Sequence, residues 1–148
     1  MGDQFCRKPN RMKTYDYASI GMYFLTICSQ DRICIFRDPK TFEFKDLGRS
    51  VQTGIDLIET KYIGVRVEKY VIMPNHVHIL IELQQVSVSI STIVSQFKRF
   101  VSVQAGRTVW QKSFYDHVIR SEDDYQKVWR YIDNNPAKWT EDKYFSMN

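Results

Sequence analysis

The run Arg66-Val-Glu-Lys-Tyr-Val-Ile-Met-Pro-Asn-His-Val-His-Ile-Leu-Ile-Glu-Leu83 reads as two strands joined by a tight turn. Arg66 to Met73 is rich in strand formers, Pro74-Asn75 supplies the turn, and His76 to Leu83 alternates. Two strands joined so closely lie side by side and antiparallel. Alternation sends Val77, Ile79, Ile81 and Leu83 to one face, which is therefore the core face. His76 and His78 point to the other.

Upstream, Met22 to Cys28 is a third strand, with Gln30-Asp31 as a turn. Ile33 to Phe36 and Phe42 to Phe44 suggest a short ribbon around Asp38-Pro39. Ser50 reads as a helix cap, and Val51, Gly54, Ile55, Ile58 and Tyr62 form an apolar stripe that runs until Gly64. Downstream, Ile90, Ile93, Val94, Phe97, Phe100 and Val101 form a second stripe, with Lys98 and Arg99 on its polar side. A connector around Gly106 leads to a strand over Phe114 to Ile119. Ser121 and Asp124 then mark a helix start, and Tyr125, Val128, Trp129 and Ile132 give its buried stripe. Asn134-Asn135-Pro136 ends or loosens it. The last dozen residues are too short for another unit.

The order predicts an α+β, ferredoxin-like β-α-β-β-α-β sandwich: an antiparallel sheet with helices on one face, an extra N-terminal ribbon and a C-terminal helix. The other face is expected to stay open for a ligand or partner. Residues 1–13 read as a basic arm and 14–148 as one domain.

Composition narrows the function. Hydrophobic residues at 43% and charged residues at 26% argue against a disordered chain. No apolar run reaches the roughly 20 residues of a membrane span. The first residues lack an apolar signal segment, and Cys6, Cys28 and Cys34 make neither a disulfide framework nor a C-x-x-C pair. A cytoplasmic, reducing location is expected. The net charge of +4 permits a polyanionic partner without requiring one. Arg7, Lys8, Arg11 and Lys13 concentrate that charge, as either a phosphate-contacting arm or a solvated terminus.

His76 and His78 are two of only three histidines. Side by side on a strand face, their imidazoles suit a divalent ion in a mixed nitrogen and oxygen shell, although a single strand histidine is usually structural. On the last helix, Tyr131 falls about 100° from the apolar stripe, and Asn135 follows one turn later. A phenol and a neutral oxygen donor would project together. On the residues alone, a boundary tyrosine and an asparagine terminator are the simpler explanation of the pair.

The ordered set Tyr23-Phe-Leu-Thr, Met73-Pro-Asn-His-Val-His78, Trp110-Gln, Phe114-Tyr-Asp-His-Val-Ile-Arg120 and Tyr131-Ile-Asp-Asn-Asn-Pro136 is more specific than any one motif. It resembles the IS200/IS605-like single-tyrosine transposases, especially their REP-associated branch within the HUH endonuclease superfamily, over most of residues 14–139. The resemblance implies that His76, His78 and Asn135 hold a divalent metal, Mg²⁺ or Mn²⁺, and that Tyr131 is the catalytic nucleophile. It implies metal-dependent cleavage and transfer of hairpin-bearing single-stranded DNA through a 5′-phosphotyrosine. Gln111 and Lys112 lie in a family-like segment and become candidate DNA contacts, with Lys98, Arg99 and the basic arm.

His117 is either a DNA contact or a structural hydrogen-bonding histidine, and Asp116 is equally open. Glu82 shares the histidine face but lies too far along the strand to ligate. Competing functions are a domesticated hairpin-binding regulator, a single-stranded nucleic-acid-binding module and a metal hydrolase using water. A monomer or a homodimer fits, with the monomer favoured before DNA binding because 17 residues after Tyr131 leave little room for an exchanged tail.

Overall fold

The computed structural model describes residues 20–85 and 88–148. The arm residues Arg7, Lys8, Arg11 and Lys13, together with Cys6, lie outside them. The elements are β1 (Gly21–Cys28), α1 (Asp46–Lys61), β2 (Val65–Ile72), β3 (His76–Leu83), α2 (Ile90–Ala105), β4 (Tyr115–Ile119) and α3 (Glu122–Asn134). Short 3-10 turns occupy Gln30–Arg32 and Pro136–Glu141. The strand order is β2-β3-β1-β4, with every neighbouring pair antiparallel. This is the ferredoxin-like arrangement, with extra structure at the C-terminal end.

Alternation along the two central strands divides the apolar residues between two faces. Tyr23, Leu25 and Ile27 of β1 join Val77, Ile79, Ile81 and Leu83 of β3 against one layer of helices. That layer contributes Val51, Ile55 and Ile58 from α1, and Ile93, Val94, Phe97 and Val101 from α2. Each of these side chains is worth roughly 1.5–3 kcal/mol on burial, which holds the β-branched α2 in a helix despite its indifferent propensity.

The second face is not open, contrary to the expectation from the sequence. Phe24 and Leu80 project from it and pack under Val128 and Ile132 of α3. The Pro136–Glu141 turn and the residues after it extend the cover, seating Trp139 against Cys34 and Met73. The physical reason is the α3 stripe itself, which must bury its apolar side. Phe24 and Leu80 are the matching apolar patch on the sheet.

Two local expectations are also corrected. The ribbon shrinks to a single bridge, Arg37 to Phe44. The chain turns instead on Asp38, whose Oδ1 accepts from the Lys40 and Thr41 amides at 2.8 and 3.0 Å. Helix α1 starts at Asp46, one turn before Ser50, and its N-cap Lys45 has no capping side chain. Gly48 explains the earlier start. A Cβ there would land on the Phe36 carbonyl oxygen and lie 2.7 Å from Phe44 Cδ1, so only glycine lets this first turn press on the preceding segment. Gly48→Ala should therefore lower stability by about 1–3 kcal/mol, although alanine ordinarily favours a helix. Urea denaturation of both proteins would measure it; a more stable variant would contradict the close contact.

The Ser121 expectation holds, since its hydroxyl accepts from Asp124 N at 3.1 Å.

Candidate metal and nucleophile site

The β3 register sets His76 opposite Cys28 and His78 opposite Thr26 of β1. Both imidazoles lie on the face covered by α3, with ring centroids 4.7 Å apart. Exposure falls to 0% for His76 and 1% for His78, so the pair is enclosed rather than displayed on a free surface. Phe24 stacks on His78 at 5.2 Å, and Tyr144 lies 4.6 Å from His76.

Neighbouring polar groups orient each ring. Asn75 donates from Nδ2 to the carbonyls of Arg32, at 3.0 Å, and Tyr144, at 2.7 Å. Its Oδ1 therefore faces His76 Nδ1, at 2.8 Å, and can only accept. The His76 proton sits on Nδ1, and Nε2 carries a lone pair. On the other ring, His78 Nδ1 meets the Thr26 hydroxyl at 2.8 Å.

Asn135 is oriented by the same logic. It caps the C-terminus of α3, and its Nδ2 donates to the Tyr131 carbonyl at 3.2 Å. The amide oxygen is left facing inward. His76 Nε2, His78 Nε2 and Asn135 Oδ1 are all buried without a hydrogen-bond partner. Three orphaned donor atoms in one place would each cost roughly 1–3 kcal/mol if nothing occupied the space between them. A divalent cation answers all three, and neutral imidazole nitrogens with an amide oxygen are a chemically suitable set.

Electrostatics keeps the imidazoles ready to ligate. Burial pushes His78 down to about 3, with the nearby Lys143 charge adding to the effect. Burial likewise holds His76 well below the usual range, reinforced by His78, while Asn135 only partly opposes it. Both are neutral at pH 7. Among the described residues, no three His, Cys, Asp or Glu side chains gather closely enough to hold an ion by themselves. Any ion held here would have to draw on the asparagine oxygen as well.

Tyr131 comes from α3 and reaches the same place. Its ring lies 5.2 Å from His78 and 5.9 Å from Phe24, both edge-on. The ring is half-buried. Burial raises its phenol first, Asp142 raises it further, and Asn135 opposes the rise. A phenol so placed stays protonated at neutral pH and needs a nearby positive charge to act as a nucleophile.

The remaining sequence candidates scatter. Lys98 Nζ donates to the Gln111 carbonyl at 2.8 Å and approaches those of Lys112 and Ser113 at 3.4 Å, tying down that loop. Gln111 N donates to Cys28 O at 3.0 Å, which sets the loop beside the His76 end of the sheet. Lys112 is exposed there. Arg99 is exposed on α2, the helix packed on the opposite face from the histidines. His117 shares the histidine face but is held by Asp124 at the start of α3, with Nε2 2.7 Å from Oδ2. Asp116 is buried, and Glu82 accepts from Gln84 at 3.2 Å.

Sequence reasoning missed Asn75, Thr26, Asp142 and Tyr144. Asn75 was visible inside the Pro-Asn-His-Val-His string, where its turn role masked its role as a partner of His76. Asp142 and Tyr144 follow the last periodic helix and left no pattern to read.

Comparison with known proteins agrees with this architecture. No family profile matches the chain. A Haemophilus influenzae protein of uncharacterised function is 34% identical over 167 residues, covering 94% of this chain and 93% of its own length. A second protein from that organism, provisionally described as a REP-associated tyrosine transposase, is 24% identical and covers 83% of this chain and 74% of its own. Among solved structures, a REP-associated tyrosine transposase bound to a REP hairpin superposes with a TM-score of 0.70 at 22% identity, over 87% of this chain and 74% of that one. A Deinococcus radiodurans protein provisionally described as a transposase gives 0.50 at 18% identity, over 84% and 96%. No helix among the described residues is long and apolar enough to cross a membrane. In sequence and in fold the chain is similar to REP-associated tyrosine transposases, the branch of the IS200/IS605-like single-tyrosine HUH family that its motifs resemble.

Proposed function

We propose that this protein cuts and rejoins hairpin-bearing single-stranded DNA through a covalent bond to Tyr131. One observation carries the reading: three buried, unpartnered donor atoms on His76, His78 and Asn135 converge next to a half-buried tyrosine. A hydrolase using water would need the donors but not the tyrosine. A passive binding module would need neither.

His76, His78 and Asn135 would hold the ion, oriented by Asn75, Thr26 and the Tyr131 carbonyl. Bound there, Mg²⁺ or Mn²⁺ would supply positive charge to offset the phosphodiester and the ionising phenol. Tyr131 Oη attacks phosphorus in line and gives up its proton to solvent. A phosphorus–oxygen bond to the tyrosine forms as the bond to the upstream sugar breaks, and the departing 3′ oxygen takes a proton from solvent, leaving a 3′-OH and a 5′-phosphotyrosyl strand. The energy of the diester is kept, so a 3′-OH can reverse the attack and complete strand transfer without a nucleotide cofactor. Incubation with single strands bearing hairpins and Mn²⁺, followed by denaturing gels, tests the reading. A protein-linked downstream strand is expected; free, unlinked products would overturn it.

Hairpin binding is proposed on the similarity to a transposase structure that holds a REP hairpin. Phosphate contacts from Arg7, Lys8, Arg11 and Lys13 would add affinity without reading sequence. Deleting residues 1–13 should weaken binding and reduce the log–log salt slope by about 3, at roughly 0.7 per phosphate contact on a single strand. Fluorescence anisotropy across a salt series would measure this. An unchanged slope would remove the arm from the interface.

A further inference from the structure

Directly after β1 the chain places two consecutive non-glycine residues in left-handed backbone, Asp31 at φ 58° and Arg32 at φ 55°. Aspartate tolerates that region; arginine enters it at a cost. Surrounding bonds over-determine the turn. Arg32 N donates to Ser29 O at 3.1 Å, Ser29 Oγ donates to Ile33 O at 2.7 Å, and Asn75 Nδ2 donates to Arg32 O at 3.0 Å. The last of these helps to orient Asn75 toward His76, so the Arg32 backbone is tied to the site through one side chain. Strain of this kind collects where a side chain has to be aimed. A glycine would relax the backbone, and what an arginine adds is its guanidinium.

That group lies over the Tyr144 ring, 4.9 Å from its centroid. Lys143 Nζ lies 5.4 Å from the same ring, which packs 4.6 Å from His76. Arg32 and Lys143 are exposed, while the ring between them and the histidine is buried. Two cations from distant parts of the chain thus meet on the aromatic cover of the site. Buried groups register them. Cys28, opposite His76 on β1, is pushed up by burial to about 12, and the charges acting on it are Arg32, Lys143 and Lys98 against the single acid Asp142. Burial also raises the Tyr144 phenol; Tyr131 adds to that rise and Arg32 opposes it, so the nucleophile and the guanidinium border one ring.

We infer that Arg32 and Lys143 are positioning residues that clamp a phosphodiester of the single strand at the edge of the enclosure, setting the neighbouring linkage against Tyr131. This rests on the strand-cleavage reading above and deepens it. A guanidinium offers a planar fork that matches phosphate oxygens in pairs, and an ammonium offers a point charge. Resting both on an aromatic face orders them before the strand arrives, which lowers the cost of binding. Such contacts fix register and read no base.

The test is DNA binding without added metal, so that no cleavage intervenes. Fluorescence anisotropy across a salt series compares wild type, Arg32→Asn, Lys143→Gln, the double variant and Arg49→Gln. The probes are a hairpin with single-stranded tails and the same hairpin cut flush to its stem. Asparagine enters left-handed backbone more easily than arginine and keeps the carbonyl that Asn75 needs, so Arg32→Asn should melt no lower than wild type. Arg49 pairs with Asp46 on α1 at 3.2 Å and controls for net charge. On tailed DNA each clamp variant should bind about fivefold more weakly at about 0.1 M salt and lower the log–log slope by about 0.7, with about twice that slope change in the double variant. Arg49→Gln on either probe, and every variant on the flush hairpin, should match wild type. An unchanged slope on tailed DNA, or an equal loss on the flush hairpin, would overturn the clamp. So would an Arg32→Asn protein that loses affinity only together with its fold, which would make Arg32 a structural counter-charge to Asp142. If wild type binds neither DNA, the strand-cleavage reading falls and the clamp with it.

Discussion

Tyr131→Phe should fold, bind hairpin DNA and form no covalent adduct. The change removes one oxygen and keeps the ring, so the edge contacts to His78 and Phe24 remain. Deleting a nucleophile from a preorganised site costs on the order of 10⁴-fold or more in rate, which here means background. The structure sharpens the test because a second tyrosine stands closer to the histidines. Tyr144 is 4.6 Å from His76, but it is 2% exposed and burial raises its phenol strongly. Tyr131 is the half-buried one, so its ring is more open to an incoming strand than that of Tyr144. Trypsin separates the two on peptides 131–138 and 144–148. Wild type incubated with downstream-labelled substrate should carry the label on the first peptide. An adduct on 144–148, or wild-type cleavage by Tyr131→Phe, would end the assignment.

The enclosure of the site bears on how its parts were legible. The alternation from Val77 to Leu83 identified the face toward α1 and α2 correctly because a one-residue slip would turn His76 into that layer and Val77 out of it. The same pattern could not tell a histidine on an open face from one under a helix. That distinction depends on where α3 goes, and α3 is placed by long-range contacts of Val128 and Ile132 with Phe24 and Leu80. Tyr131 and Asn135 were legible as neighbours because helical spacing is local. Their meeting with His78 across the chain was supplied only by the family resemblance. Asp142 had no such support. It sits beyond the last periodic stripe, and its position follows from the burial of Trp139 and Tyr144, which no spacing rule encodes. Lys98 shows the opposite failure. A lysine on the polar side of an amphipathic stripe reads as solvated, yet its ammonium gathers the carbonyls of residues 111 to 113.

His76→Gln/His78→Gln should lose Mn²⁺ binding by more than about 100-fold, and glutamine is the better replacement because alanine would leave cavities under α3. In wild type, Mn²⁺ at a hundred times its Kd should add about 2.7 kcal/mol of stability, which the double variant should not gain. The ion-free proteins should also differ in acid. Both histidines are held neutral by burial, His78 down to about 3, whereas an unfolded histidine protonates near 6.5. Below that value the unfolded chain takes up protons that the fold refuses. The stabilisation present above pH 6.5 is therefore lost as pH falls toward the folded values, by about 1.4 kcal/mol per unit for each histidine. Asp142 opposes this slope, because burial raises its carboxyl and the fold then holds a proton more readily than the open chain. Urea unfolding at pH 7, 6 and 5 should show a steep loss for ion-free wild type and a shallow one for the double variant. Parallel slopes would mean that the histidines are solvated, and the closed site under α3 would then have to be abandoned.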